Sequence, residues 1–297
     1  MKTTPDIAII GPGKVGAAIG ILAVRAGWRV AAVGGRDLAK AQSAVRAIGP
    51  SVEACGPAQA AAKGRLVLLT VSDEAIASVC DALAATGAFE AGAVVAHCSG
   101  VLDSSVLDSA RRAGCHVGSM HPLQTFPSAQ AAVEKMAGAY CFIEGDAEAA
   151  AVLEDLARDI GGKGVHIAAS AKPLYHASAV MACNYVAALL DAALALCGAA
   201  GIDAQTAGKA LGPLVRATVD NCLAAGAASA LTGPIARGDV ATVRRHLEAL
   251  AGSEADLDEF YRSAGKWTVG LAQRKGTLDA AAAKRLRELL DSPFKKE

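Results

Sequence analysis

The stretch Ile7-Ala8-Ile9-Ile10-Gly11-Pro12-Gly13-Lys14-Val15-Gly16 decides the fold. Its first four residues are apolar and mostly β-branched, which suits a buried strand. The run after it, Ala17 to Ala26, suits a helix. A G-x-G-x-x-G between a strand and a helix is the fingerprint of a dinucleotide-binding turn. Its glycines allow a tight turn, a close backbone approach and close helix packing. A pyrophosphate would sit at the helix N-terminus, where free N–H groups and the helix dipole favour an anion. Gly11, Gly13, Lys14, Val15 and Gly16 are therefore candidate cofactor contacts.

The next strand reads from Trp28 to Val33 and ends in Gly34-Gly35-Arg36. An acid is expected here, roughly 20 residues past the glycines, when a ribose 2′-hydroxyl is bound. Arg36 stands there instead. A guanidinium pairs with a 2′-phosphate, at roughly 1.5–3 kcal/mol, or roughly tenfold to a hundredfold in affinity. The expected cofactor is therefore NADP(H). Asp37 is better placed as the N-cap of the following helix than as a ribose ligand.

The chain has 297 residues, 53% hydrophobic and 20% charged, with zero formal net charge. That is length for two domains with real cores and a composition for compact globules rather than disorder. Nothing in it attracts nucleic acid or an acidic membrane surface. The N-terminal residues pass straight into a strand and lack the apolar region of a signal peptide. The longest apolar stretch, 177–201, is interrupted by Asn184, Tyr185 and Asp191, and reads as a core or interface helix rather than a membrane span. The eight cysteines show no C-x-x-C and no metal-ligand spacing. They fit small buried hydrophobes in a reducing cytoplasm.

Up to residue 168, strand-like runs (6–10, 28–33, 66–71, 93–97, 115–118, 139–143, 164–168) alternate with helical ones (14–26, 37–47, 73–85, 104–113, 147–160). This predicts an α/β domain with a doubly wound, mostly parallel sheet over 1–168. Beyond it, helical segments near 172–200, 203–226, 239–250, 254–273 and 279–291 predict an all-α domain over 169–297. The apolar helix near 172–200 should pack against its own chain and a second subunit.

Ligands of such sheets lie beyond the carboxyl ends of the strands. Val71 and Ser72 would lie beside the cofactor, with Ser72 or Asp73 capping the next helix. Cys98 and Ser99 close another strand, and Ser99 is a candidate for nicotinamide or substrate contact. Ser119-Met120-His121-Pro122-Leu123-Gln124-Thr125-Phe126 reads as a polar segment after a short strand. His121 is its candidate for substrate contact or proton transfer. His116 and His246 lack supporting context, and His166 reads as structural. On the first helix after the sheet, Lys172, His176 and Asn184 share a face. Lys172 or His176 is the candidate proton donor to a carbonyl or imine. The bland reading makes Lys172 a solvated helix-start residue.

Together, G-P-G-K-V-G (11–16), A-H-C-S-G (96–100), S-M-H-P-L-Q-T-F (119–126), Y-H-A-S-A-V-M-A-C-N-Y (175–185) and L-T-G-P-I-A-R-G-D (231–239) resemble the Rossmann-like oxidoreductases whose C-terminal domain is catalogued as domain of unknown function 2520. That family is similar in plan to pyrroline-5-carboxylate reductase and ketopantoate reductase, within the 6-phosphogluconate dehydrogenase-like proteins. The resemblance implies an NADP-type Rossmann domain, a helical C-terminal domain and a homodimer. Relatives acting on 3-hydroxy acids carry a lysine and an asparagine about four residues apart on the first interdomain helix. Here His176 follows Lys172 at that spacing, a departure from that mechanism. Arg237 is a candidate for a substrate carboxylate, and Asp239 for a helix cap. The expected function is NADP(H)-dependent reduction of a small carbonyl or imine compound, with no metal. The alternative is a non-catalytic dinucleotide sensor.

Overall fold

The computed structural model describes residues 4–252 and 255–292, in two compact units, Met1–Cys183 and Asn184–Glu297. The first helix after the sheet, expected to open the second domain, thus starts within the first unit.

Among the described residues the first unit holds eight strands: β1 (Ile7–Ile10), β2 (Val30–Gly34), β3 (Glu53–Cys55), β4 (Leu66–Leu69), β5 (Val94–His97), β6 (His116–Pro122), β7 (Tyr140–Gly145) and β8 (Lys163–His166). Its helices are α1 (Lys14–Arg25), α2 (Leu38–Ile48), α3 (Pro57–Ala61), α4 (Asp73–Ala85), α5 (Asp108–Arg112), α6 (Ala129–Lys135) and α7 (Ala147–Asp159). The sheet order is β3-β2-β1-β4-β5-β6-β7-β8, parallel except for the β6–β7 pair. The strands β1, β4 and β5 are buried along their whole length, as strands covered on both faces must be. Their side chains alternate between two cores. Ile7, Ile9, Leu66 and Leu68 face one, with α1 and α7. Ala8, Ile10, Val67 and Leu69 face the other, with α4 and α5. The chain leaves β1 toward β2 and later returns to β1's other side as β4. This is the switch point where doubly wound sheets open a crevice.

Three expectations are corrected. The edge strand β3 and the short helices α3 and α6 are additional elements, too brief to leave a periodic signature. The helix expected at 104–113 is a 3-10 turn, Ser104–Leu107, followed by α5. The strand expected at 115–118 continues to Pro122, because β7 pairs with it antiparallel and sets His121 opposite Phe142. Ser119 and His121 therefore stand on a strand, not in a loop.

The long helix α8 (Lys172–Ala199) begins in the first unit and continues into the second. The second unit adds α9 (Ala204–Ala225), α10 (Ala227–Ala230), α11 (Val240–Leu250), α12 (Ala255–Lys275) and α13 (Ala280–Asp291). Val243, Leu247, Val269, Leu286 and Leu290 form its core. The buried Arg262 binds Asp258 through Nε (2.7 Å). Its Nη1 donates to the carbonyls of Leu289 (3.2 Å) and Ser292 (2.8 Å), closing the end of α13. In α8 only Lys172 is buried. Leu174, Met181, Tyr185 and Leu189 leave an apolar stripe exposed along one face. The segment Ala169–Ala199 is long and apolar enough, by length and composition, to cross a membrane.

Candidate functional site

The crevice at the switch point is built by the glycine loop and the end of β4. Gly11 adopts a φ of 112°, open to glycine and costly for other residues. A Cβ there would meet the Thr70 carbonyl at 2.8 Å. The Thr70 hydroxyl donates to the Gly11 carbonyl (2.7 Å), pinning the loop to β4. Gly13 is the N-cap of α1 and offers no capping side chain. The first-turn N–H groups of α1, on Lys14, Val15 and Gly16, therefore stay available to an anion. Beside the loop opens a cavity of about 840 Å³, lined among others by Gly11, Gly13, Arg36, Lys40, Val71 and Ser72. Its volume lies in the range of small-ligand sites.

Asp37 is spent as a cap. Its Oδ1 accepts from the N–H of Ala39 (3.0 Å) and of Lys40 (3.2 Å). Arg36 is exposed and makes no ion pair among the described residues. Ser72 occupies the N-cap of α4 without a side-chain cap bond. The capping role expected of Asp73 is corrected: it is the first helical residue, and its carboxylate accepts from the Ser99 hydroxyl (2.8 Å).

Ser99 is a tie-point. Its hydroxyl also accepts from the N–H of Val101 (3.3 Å) and Leu102 (3.1 Å), fixing the turn after β5. The buried His97 below it accepts from the Ser99 N–H at Nδ1 (3.1 Å). Its Nε2 therefore carries the proton and donates to the Asp103 carbonyl (3.1 Å). Burial lowers the pKa of His97 to about 4. Burial also pushes the Cys98 thiol up to about 12, so it stays protonated.

Lys172 is 1% exposed, which overturns the reading of a solvated helix start. Its Nζ donates to the Ser99 carbonyl (3.0 Å) and to the Ser119 hydroxyl (2.7 Å). Ser119 donates in turn to Glu144 (3.1 Å), which also binds the N–H (2.9 Å) and hydroxyl (2.6 Å) of Ser104. Burial lowers the Lys172 pKa, with Glu144 opposing. This lysine knots the turn after β5 and the middle of β6, and through Ser119 and Glu144 also β7, to the first turn of α8.

His121 stands beside the knot. Its Nδ1 lies 2.7 Å from the Tyr175 hydroxyl. Tyr175 stacks on Phe142 with ring centroids 4.1 Å apart. The rings of His121 and His176 meet edge to face at 5.7 Å. Both crowd Gly100, where a Cβ would lie 2.4 Å from the His176 ring and 3.0 Å from His121. Burial, followed by the neighbouring His176 and Lys172, lowers the His121 pKa to about 4. Burial raises the Tyr175 phenol. Both are neutral near pH 7.

The other candidates fall elsewhere. Gln124 turns away to the Lys135 carbonyl (3.2 Å). Asn184 is exposed on α8, and Arg237 is exposed in a 3-10 turn, Ile235–Arg237; both belong to the second unit. Asp239 caps α11 through the Thr242 N–H (3.0 Å). Thr70, Glu144 and Ser104 went unassigned in the sequence. Their roles rest on pairings 40 to 59 residues apart, which no local pattern encodes.

Family models match residues 2–122 as a Rossmann-like domain and residues 139–268 as domain of unknown function DUF2520. The chain joins a Rossmann-like domain to a DUF2520 domain. No curated protein matches it. Among solved structures, this Rossmann-like/DUF2520 protein is similar to a candidate NADP oxidoreductase from Bacteroides fragilis. They share 21% identity and a TM-score of 0.72, over 92% of this chain and 98% of that one. A reductive aminase from Aspergillus terreus, in complex with NADPH and ethyl-5-oxohexanoate, shares 17% identity and a TM-score of 0.59 over 97% and 93%. A pyrroline-5-carboxylate reductase from Coxiella burnetii shares 18% and 0.57 over 97% and 99%. At these identities the likeness is one of fold. The DUF2520 match begins at Ala139, so its model takes in β7, β8 and the first turns of α8, with Glu144 and Lys172.

Proposed function

We propose that this protein is an NADPH-dependent reductase of a small carbonyl or imine metabolite. The observation that carries the reading is the glycine-loop crevice. The glycine loop, which leads through Gly13 into the uncapped N-terminus of α1, and the unpaired Arg36 both line it. These residues fit a phosphorylated dinucleotide: the cradle at Gly11 has no room for a Cβ, and both anion-binding groups are free. The neighbours crystallised with NADPH support the same assignment.

When bound, the dihydronicotinamide supplies a hydride. This chain's residues do the rest. The α1 N-terminus holds the pyrophosphate, and Arg36, with Lys40 beside it, holds the 2′-phosphate. Val71 and Ser72 flank the ribose. Lys172 fixes the turn after β5 and the middle of β6 under the reacting centre, and His121, with His176 against it, faces the substrate. Lys172 is buried on two acceptors, so the proton falls to His121 rather than to Lys172.

Calorimetric titration tests the cofactor. NADPH should bind in the micromolar range and NADH far more weakly. Arg36→Ala should weaken NADPH roughly tenfold to a hundredfold and leave NADH unchanged. Equal affinity for both cofactors would remove the Arg36 argument. Binding without turnover across carbonyl and imine compounds would return the protein to a non-catalytic sensor.

We propose further that a second copy of the chain covers the stripe of Leu174, Met181, Tyr185 and Leu189 on α8. Leu174 and Met181 are 79% and 56% exposed, and apolar stripes of this kind mark interfaces. Light scattering should give twice the chain mass, and Met181→Glu should give a monomer. A monomer for the unaltered chain, or partition into lipid vesicles, would refute the dimer. Eight free cysteines support a reducing compartment, the cytoplasm.

A further inference from the structure

The hydrogen bond between Tyr175 and His121 has two possible polarities, and they give the site opposite chemistry. If the phenol donates to Nδ1, the imidazole carries its proton on Nε2 and offers a donor. If Nδ1 donates, Nε2 is a bare acceptor. Two features choose between them. Among the described residues the Tyr175 hydroxyl has one partner, Nδ1 of His121. Only by donating there does its proton find an acceptor within the protein, and a half-buried donor left unpaired is costly. A phenol is also the stronger acid and imidazole nitrogen the stronger base, so O–H···N is the better bond. The Nε2 edge of His121 lies over Gly100, has no protein partner and is not a buried atom. It is free to meet a ligand.

We propose that Tyr175 is a positioning residue that holds His121 as the Nε2–H tautomer, so that the site offers its substrate a hydrogen-bond donor and takes a neutral carbonyl in preference to a charged iminium. The second half rests on the reductase reading above. A carbonyl oxygen has lone pairs for this N–H; a quaternised iminium nitrogen has none and would face only the positive edge of a donor. Bound NADPH would supply the hydride and leave as NADP+; as the carbonyl carbon accepts it, the C=O π pair would go to oxygen. That oxygen takes the proton from Nε2. Nδ1 takes the Tyr175 proton as Nε2 gives its own; water then returns a proton to Nε2 and the Nδ1 proton goes back to the phenolate, which restores the Nε2–H tautomer. The low pKa of His121 supports a neutral ring at work, acting as a hydrogen-bonding electrophile rather than as an imidazolium.

The test is long-range proton–nitrogen NMR on the full chain labelled with 15N-histidine, His121 being assigned by its loss in His121→Asn. At pH 7 the unaltered protein should show His121 wholly as Nε2–H. Tyr175→Phe keeps the ring on Phe142 and should relax His121 to a mixture of tautomers, its two nitrogen resonances moving toward each other. It should lower kcat for a ketone on the order of a hundredfold and change KM far less. A proton on Nδ1 in the unaltered protein, or a spectrum untouched by Tyr175→Phe, overturns the proposal. Reduction of an N-methylated cyclic iminium faster than of neutral ketones overturns its substrate half. The stated tautomer in a protein that reduces nothing refutes the reductase reading and leaves the role of Tyr175 standing.

Discussion

Lowering the pH from 7 to 5 is expected to remove about 3 kcal/mol of stability from the first unit, through His97 and His121. Both are held at a pKa of about 4 in the fold, chiefly by burial, and both return to about 6.5 in the unfolded chain. The fold keeps them neutral, so the unfolded state binds more protons between these values. Stability is therefore complete above pH 6.5, falls as the pH drops through that window, and levels off near 4. His97 is fully buried, and both its nitrogens are committed. Its share at pH 5 is about 2 kcal/mol, and that of the half-buried His121 about 1 after screening by solvent. Against a typical total of about 5–15 kcal/mol, this is a large loss. Urea unfolding at pH 7, 6 and 5 measures it. His97→Gln should flatten the dependence by more than half. A midpoint that does not move between pH 7 and 5 would contradict the neutral, buried state of both rings.

Alanine at two glycines of the same loop is expected to fail in two different ways. At Gly16 a Cβ would lie 2.4 Å from the Thr70 hydroxyl and 2.6 Å from the Gly11 carbonyl. The second of these is backbone and cannot swing aside. Gly16→Ala should cost about 3 kcal/mol or more and lower the melting temperature whether or not a ligand is present. At Gly13 the nearest protein atom to a Cβ is the Thr70 carbonyl at 3.8 Å, an ordinary contact, and the backbone is extended. Gly13→Ala should leave stability within about 0.5 kcal/mol. It should weaken NADPH on the order of a hundredfold, because the methyl group then occupies the approach of the pyrophosphate. Thermal melts and calorimetric titrations of the two variants separate architecture from binding. Unchanged affinity in Gly13→Ala would place the pyrophosphate elsewhere.

The sequence made the glycine turn legible because every part of it is local: an apolar run, three glycines at fixed spacing and a helical run. The alternation that predicted a doubly wound sheet and the apolar helices after residue 168 were legible for the same reason. Asp37 and Asp239 were read as caps, and their carboxylates accept from N–H groups of the helices that follow them. What escaped is non-local. The length of β6 depends on β7, and nothing between His116 and Pro122 announces a partner twenty residues later. Lys172 stood as a candidate proton donor beside the reading of a solvated helix start, and no local pattern chose between them, because its burial follows from acceptors 73 and 53 positions earlier. Glu144 sits in a strand whose other residues are apolar or aromatic. Its meaning appears only once Ser104 and Ser119 close around it.

The lysine knot also bears on the order in which the protein is made. The eight strands among the described residues end at His166, before α8 begins, so a growing chain makes its whole sheet before it makes α8. At that stage Ser99 and Ser119 lack the ammonium group that joins them, and His121 lacks Tyr175. Contacts of such long sequence separation form late, after the loop entropy of closing them has been met. The sheet can thus mature before these contacts do. A growing chain is therefore expected to pass through an interval in which its glycine crevice is formed and the contacts of Lys172 and Tyr175 are not.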